Sequence, residues 1–130
     1  MINREQSNHL LFFHLNIRSV QNKVDELSTL LSTLNIKFSV VVITENWVQD
    51  SSLGVNIDGY NFVYKNRSAK TGGGVGLYVS DNLDFRIRTD IYVYEDDVME
   101  SLFIEIIRSY ERNVIVGIIY RPPNQNVMIS

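Results

Sequence analysis

The 130-residue chain has no cysteine and no long hydrophobic segment, and it carries little net charge. Without cysteine it cannot form a disulfide framework or a thiolate metal site, which fits an intracellular protein. Its apolar runs are far too short to span a bilayer, and the polar first residues MINREQSN lack the apolar core of a signal peptide. We therefore expect an intracellular protein without a targeting signal and without a membrane partner.

The net charge of −3 gives no overall electrostatic field that would attract nucleic acid. Binding to DNA would have to depend on a local basic patch, and Lys65, Arg67 and Lys70 form such a patch. The hydrophobic fraction of 45% is ordinary for a globular protein, so we assign residues 10–130 to one domain and residues 1–9 to a polar leader.

The first third of the chain has the pattern of a strand, a helix and a second strand. Residues 10–16 are a nearly continuous apolar run, which predicts a buried strand, and residues 38–44 are rich in β-branched side chains, which predicts a central strand. Between them, a helix is predicted to begin after Ser19 and to end at Asn35. The apolar stripe of this helix consists of Val24, Leu27, Leu30, Leu31 and Leu34. Such an order implies two parallel strands joined by a helix that covers one face of the sheet.

The rest of the chain predicts further strands, most of them antiparallel. Turn residues separate apolar or alternating runs at residues 60–65, 75–80, 83–88, 102–107 and 114–120. The predicted fold class is therefore α/β, with a mixed sheet and a helix packed on one face.

Polar residues follow the first two predicted strands and are the first candidates for chemistry. Glu45 comes directly after the second strand, where a divalent cation such as Mg²⁺ would offset the cost of a carboxylate near a buried strand. Asn16 ends the first strand, and its amide can orient a carboxylate or a phosphate. The alternatives are a solvent-facing glutamate for Glu45 and a turn or helix-capping asparagine for Asn16.

The last predicted strand also ends in polar residues. The phenol of Tyr120 can donate to a phosphate oxygen or to a water molecule, and Arg121 can bind a phosphate through two parallel hydrogen bonds. Two prolines stiffen the chain before Asn124. The alternative is a surface tyrosine that precedes an ordinary turn.

A glycine run lies beside the basic patch. Gly72, Gly73 and Gly74 would allow backbone amides to approach phosphates closely, although the segment lacks the spacing of a nucleotide-binding P-loop. The alternative is a flexible hairpin turn.

Five motifs occur in a characteristic order along the chain. They are LN-x-RS-x-x-NK-x-x-EL from residue 15, TE-x-W from residue 44, GGGVGLYVS from residue 72, ESLFIEI from residue 100 and GIIYRPPN from residue 117. Together, over residues 10–124, they resemble the endonuclease domain of non-LTR (LINE-like) retrotransposons. These domains belong to the endonuclease/exonuclease/phosphatase superfamily.

The resemblance implies a fold, a reaction and a set of site residues. The family fold is a four-layer α/β sandwich, and the family reaction is the Mg²⁺- or Mn²⁺-assisted hydrolysis of a DNA phosphodiester, which produces a nick. By the same resemblance Asn16, Glu45 and Tyr120 match catalytic residues, and Glu45 and Asn16 match the metal-binding end of the site. The residues implied to contact DNA are Lys65, Arg67, Lys70, Gly72, Gly73, Gly74, Arg121 and Asn124. Nuclear access is expected for a full-length element.

Two departures from the family pattern limit this expectation. The usual Glu-Thr is Glu45-Asn46 here, and these 130 residues contain neither the family's Gly-Asp-x-Asn motif nor its Ser-Asp-His motif. We therefore expect the N-terminal half of the sandwich, which would be an inefficient nuclease by itself because catalytic groups act together. We also expect an uncovered apolar sheet face that favours self-association.

Two other functions remain open at this stage. One is a non-catalytic remnant that binds DNA weakly through the basic patch, and the other is a phosphoesterase of the same fold that acts on lipids or inositol phosphates.

Overall fold

A four-stranded mixed sheet lies at the centre of the fold. The computed structural model describes residues 9–16, 20–44, 55–65, 74–91 and 100–120. The elements in chain order are β1 (Phe12–Asn16), α1 (Val20–Leu34), β2 (Val40–Thr44), β3 (Tyr60–Lys65), β4 (Val75–Ser80), β5 (Asp84–Ile87), β6 (Glu100–Ile107) and β7 (Val114–Tyr120). The central sheet has the order β1-β2-β4-β3, and β5, β6 and β7 form a second sheet in that order. The α/β class and the mixed sheet predicted from the sequence are thus confirmed.

The helix covers one face of the central sheet. Leu27 and Leu31 are buried, and they belong to one apolar cluster with Val41 and Ile43 of β2. β1 and β2 pair in parallel, as the strand–helix–strand pattern predicted. Leu30 and Leu34 are more than one-third exposed, so the buried stripe is narrower than predicted. On a helix these two leucines project to one side of the line through Leu27 and Leu31.

The helix ends as its sequence predicted. Asn35 has a φ of 55°, which is the left-handed conformation that often terminates a helix. Its backbone N–H donates to the carbonyl oxygen of Ser32 at 3.1 Å and so satisfies one of the last helical carbonyls.

The second sheet covers the other face of the central sheet. Val40 of β2 and Leu77 of β4 are fully buried there, in a cluster that includes Ile104 of β6 and Ile118 of β7. β5, β6 and β7 are antiparallel. The expectation that this face of the central sheet lacks a partner sheet is therefore wrong for β2 and β4. The later strands predicted from the sequence fold back onto the earlier ones, and burial of two apolar faces against each other drives that arrangement.

β1 differs from its prediction as a buried strand. It is an edge strand whose residues alternate in exposure, and Phe12 is 49% exposed. Phe13 and Leu15 pack toward the helix, whereas Phe12, His14 and Asn16 occupy the alternate positions and are exposed. The reason is that the second sheet packs against β3 and β4 rather than against β1.

Within the described ranges, no helix is long and apolar enough to cross a membrane.

Candidate functional site

The ends of the four central strands form a row that contains two of the predicted site residues. Asn16 is paired with Thr44, Thr44 with Val75, and Val75 with Lys65, each across one neighbouring strand. We call this row of four residues the site edge. Asn16 and Lys65 lie at its two ends, and both are exposed. At about 4.8 Å per strand, three steps place their backbones roughly 14 Å apart.

Thr44 connects the site edge to the predicted metal ligand. It is buried, with 4% of its surface exposed, and it is the residue that precedes Glu45 in the sequence. Glu45 itself lies outside the described residues. The structure therefore fixes the position of Thr44, the residue before Glu45, and the backbone of Thr44 is paired with that of Asn16.

The second sheet brings the end of β7 to the same side of the fold. Tyr120 is the last residue of β7 and is paired with Glu100, the first residue of β6. The beginning of β6 lies near the site edge, because a cleft is lined both by Lys65 and by Ser101. Three predicted site residues, Asn16, Lys65 and Tyr120, thus lie at one end of the two packed sheets, while Arg121 and Asn124 are outside the described part of the chain.

Gly74 is the one member of the glycine run within the described residues. It is buried and has a φ of 95°, a conformation that side chains other than glycine rarely adopt. This gives the glycine a conformational role at the start of β4, next to the site edge. Gly72, Gly73, Arg67 and Lys70 fall outside the described ranges.

The donor set partly fits a hard divalent cation. The described residues contain no group of three or more histidine, aspartate or glutamate side chains that could hold a metal. Mg²⁺, however, is typically bound by one or two carboxylates together with water and phosphate oxygens. Asn16 is exposed and carries an amide oxygen, and Glu45 would supply the carboxylate, so the two residue types suit a metal site that is completed by substrate and water. His14 shares the exposed face of β1 with Asn16.

A cleft opens between the two sheets beside Lys65. It has a volume of about 260 Å³, and we call it the intersheet cleft. The apolar residues that line it include Val63, Ile87, Ile91 and Leu102, and Lys65 borders it. This cleft could not be predicted from the sequence, because it depends on the packing of β3 near β6, and these two strands are far apart along the chain.

A group of polar residues on the second sheet was also not predicted from the sequence. Glu105 is only 8% exposed, and its Oε1 accepts hydrogen bonds from Arg86 Nε and Arg88 Nη1, each at 2.9 Å. Its Oε2 accepts a hydrogen bond from Asn113 Nδ2 at 2.8 Å, and Arg88 also binds Asp90 through two hydrogen bonds. We call these five residues the Glu105 cluster. A glutamate within the apolar run of β6 was the signal in the sequence that could have revealed it.

The hydrogen bonds of this cluster hold Glu105 in its charged form. Donation from Asn113, with further donation from Arg86 and Arg88, lowers the pKa of Glu105 from 4.5 to about 2, although desolvation opposes the shift. The cluster contains two arginines and two carboxylates, so its charges balance. It is therefore a structural ion-pair network on the second sheet, and it is separate from the site edge.

Comparison with known proteins does not assign the chain to a family. No family model matches the sequence, and no curated protein matches it.

Proposed function

We propose that the site edge is the phosphodiester-binding part of a Mg²⁺-dependent DNA endonuclease of the retrotransposon type. The observation that carries this proposal is the position of Asn16 in register with Thr44, on one row with Lys65 and at the same end of the fold as Tyr120. In this proposal Asn16 and Glu45 hold the metal, and Tyr120 binds the phosphate or the attacking water. Lys65 contacts the DNA backbone further along the same row.

The layer arrangement supports the same proposal. A helix, a mixed sheet and an antiparallel sheet lie in succession, with the two sheets face to face. In a four-layer α/β sandwich they would be three of the layers, and a further helical layer would lie on the outer face of the second sheet. Ile115 and Ile119, which are about half exposed, lie on that outer face.

The chemistry needs a metal ion, which would polarise the phosphate and lower the pKa of a bound water molecule. The residues of this chain position the phosphate beside that ion. Asn16 can donate through its amide N–H or bind through its amide oxygen, and Lys65 neutralises one phosphate. Because these 130 residues contain neither a Gly-Asp-x-Asn nor a Ser-Asp-His motif, we expect binding of metal and DNA but only slow hydrolysis.

The test is a titration with Mn²⁺ followed by NMR, because bound Mn²⁺ broadens the signals of nearby nuclei. We expect the amide signals of Asn16 and Thr44 to broaden first, and Glu45→Gln to abolish that effect. The acidic pair Asp25 and Glu26 on α1 is an internal control, since both residues are exposed and lie in another layer. Broadening that is confined to this pair would contradict the proposed metal site.

A plasmid-nicking assay tests the reaction itself. We expect the chain to nick supercoiled DNA slowly in the presence of Mg²⁺, and Glu45→Ala to remove that activity. DNA binding without any Glu45-dependent nicking would favour a non-catalytic DNA-binding protein over an endonuclease.

A further inference from the structure

We propose that the intersheet cleft binds one unstacked nucleotide of the DNA strand, with the phosphate at Lys65 and the base against Ile87. This inference rests on the proposed function for the identity of the ligand as DNA. It gives the protein a second contact with the DNA, at Lys65 and Ile87, away from the metal-binding end of the site edge at Asn16.

The first argument is the exposure of Ile87. Ile87 is paired with Ile104, which is fully buried between the sheets, so both residues occupy the inner face of the second sheet. Ile87 is nevertheless 48% exposed, because it lies where the cleft separates β5 from β3. An apolar side chain on the inner face of the second sheet is therefore in contact with solvent. An apolar ligand would cover this exposed surface.

The second argument is the charge at the rim. Lys65 is exposed, and it forms no ion pair with any residue that the structure describes. Arg88 also borders the cleft, but its guanidinium donates to Asp90 and Glu105. Among the residues that the structure describes, Lys65 is therefore the cation at the rim without an ion-pair partner, which suits a phosphate group.

The third argument is the size and chemistry of the cleft. Its volume of about 260 Å³ is just below the range typical of pockets for drug-sized ligands, so it suits a smaller planar group. Val63 and Ile91 add to the apolar wall, and the exposed Thr89, which also lines the cleft, has a hydroxyl group that can bind the polar edge of a base. A base within a duplex is stacked and paired, so only an unpaired base can enter such a cleft.

The fourth argument is the distance from the metal-binding end. The span of roughly 14 Å from Asn16 to Lys65 corresponds to about four nucleotides of a stacked strand at 3.4 Å each. A DNA strand that follows the site edge would therefore pass from Asn16 to the cleft within a few nucleotides. This predicts that single-stranded or frayed DNA binds more tightly than a fully paired duplex.

The test compares the affinity of the full chain for a single-stranded oligonucleotide and for the duplex of the same length, at several salt concentrations. We expect Ile87→Ala to weaken single-strand binding about fivefold while it leaves duplex binding unchanged. Ile87→Leu, which retains the apolar wall, should restore single-strand binding. Lys65→Gln should weaken binding of both ligands and reduce the salt dependence by about one phosphate contact.

Two matched controls are available. Ile115→Ala removes a similarly exposed isoleucine from the outer face of the second sheet, and Lys23→Gln removes an exposed lysine from α1. Neither change should alter the preference for single strands. A fluorescent 2-aminopurine base in the oligonucleotide should also change its emission on binding to the wild-type chain, and less so on binding to the Ile87→Ala variant.

The outcomes separate this inference from the proposed function. If Lys65→Gln weakens binding but Ile87→Ala changes neither ligand, the nucleotide cleft is wrong and DNA binding at the site edge stands. Equal affinity of the wild type for both ligands would also overturn the inference. If neither ligand binds at low salt, the proposed function fails, and the inference fails with it.

Discussion

The aromatic ring of Phe103 lies over Gly117 of the neighbouring strand. The two residues are paired between β6 and β7, and a Cβ atom added at Gly117 would overlap the ring. The ring takes the space that a side chain would fill, although Gly117 itself stays exposed to solvent. Such a pair fixes the register of an antiparallel hairpin.

The pair predicts that the effect of Gly117→Ala depends on Phe103. In the wild-type chain the added methyl group must displace the ring, and we expect a loss of about 1 kcal/mol in the free energy of unfolding. In a Phe103→Ala background the same change should instead stabilise by about 0.5 kcal/mol, because alanine loses less conformational entropy than glycine on folding. Urea denaturation of the four proteins in the cycle measures the coupling. Equal effects in both backgrounds would show that the ring does not occupy this space.

A buried hydrogen bond attaches the segment before β3 to the central sheet. The hydroxyl of Tyr78 is fully buried and donates to the carbonyl oxygen of Val55 at 2.7 Å, and burial raises the pKa of this phenol. Tyr78→Phe would leave that carbonyl without its donor, so we expect a loss of about 1–2 kcal/mol in the free energy of unfolding. Tyr64→Phe is the control, since Tyr64 is half-buried in the same layer. A loss of similar size in both variants would assign the effect to the ring environment instead.

The sequence predicts the strands better than it predicts their surroundings. The bounds of β3, β4 and β7 follow from their apolar runs and the turn residues around them. The apolar run of β1 was taken as a sign of burial, yet β1 is an edge strand. The sequence shows that a strand contains apolar residues, whereas the position of the strand in the sheet determines whether a second sheet covers them.

The same limit applies to the site. Asn16 was predicted to lie at a strand end, and it does. Its alignment with Lys65 could not be predicted, because it requires β4 to pair between β2 and β3, out of chain order. The Glu105 cluster was missed for a similar reason, since Arg86 and Glu105 meet only through the register of β5 and β6.

The exposed isoleucines of β7 predict self-association. Ile115 and Ile119 are 45% and 51% exposed, β7 is an edge strand of its sheet, and residues 114–119 carry no charge. Uncharged edge strands of this kind pair readily with another chain. We expect sedimentation velocity to show concentration-dependent association, and Ile119→Lys to weaken it at least about tenfold. Ile107→Lys is the control, because Ile107 is 40% exposed but belongs to β6. An Ile119→Lys variant that associates like the wild type would locate the contact elsewhere.

The Glu105 cluster predicts how stability depends on pH. Hydrogen bonds from Asn113, Arg86 and Arg88 lower the pKa of Glu105 from 4.5 to about 2 in the folded chain. A lowered pKa means that the folded state favours the charged carboxylate, so this contribution to stability is complete above about pH 4.5 and is lost as the pH falls toward 2.

We therefore expect the urea midpoint of the wild-type chain to fall steadily as the pH of the buffer is lowered from about 5 to about 2. Glu105→Gln should have a lower midpoint than the wild type at neutral pH, because a neutral amide forms weaker hydrogen bonds with two guanidinium groups. Its midpoint should also depend less steeply on pH in the acid range. Asp58→Asn, at an exposed carboxylate near β3, should keep the wild-type slope. Parallel pH profiles for Glu105→Gln and the wild type would mean that Glu105 is not the group whose protonation weakens the fold.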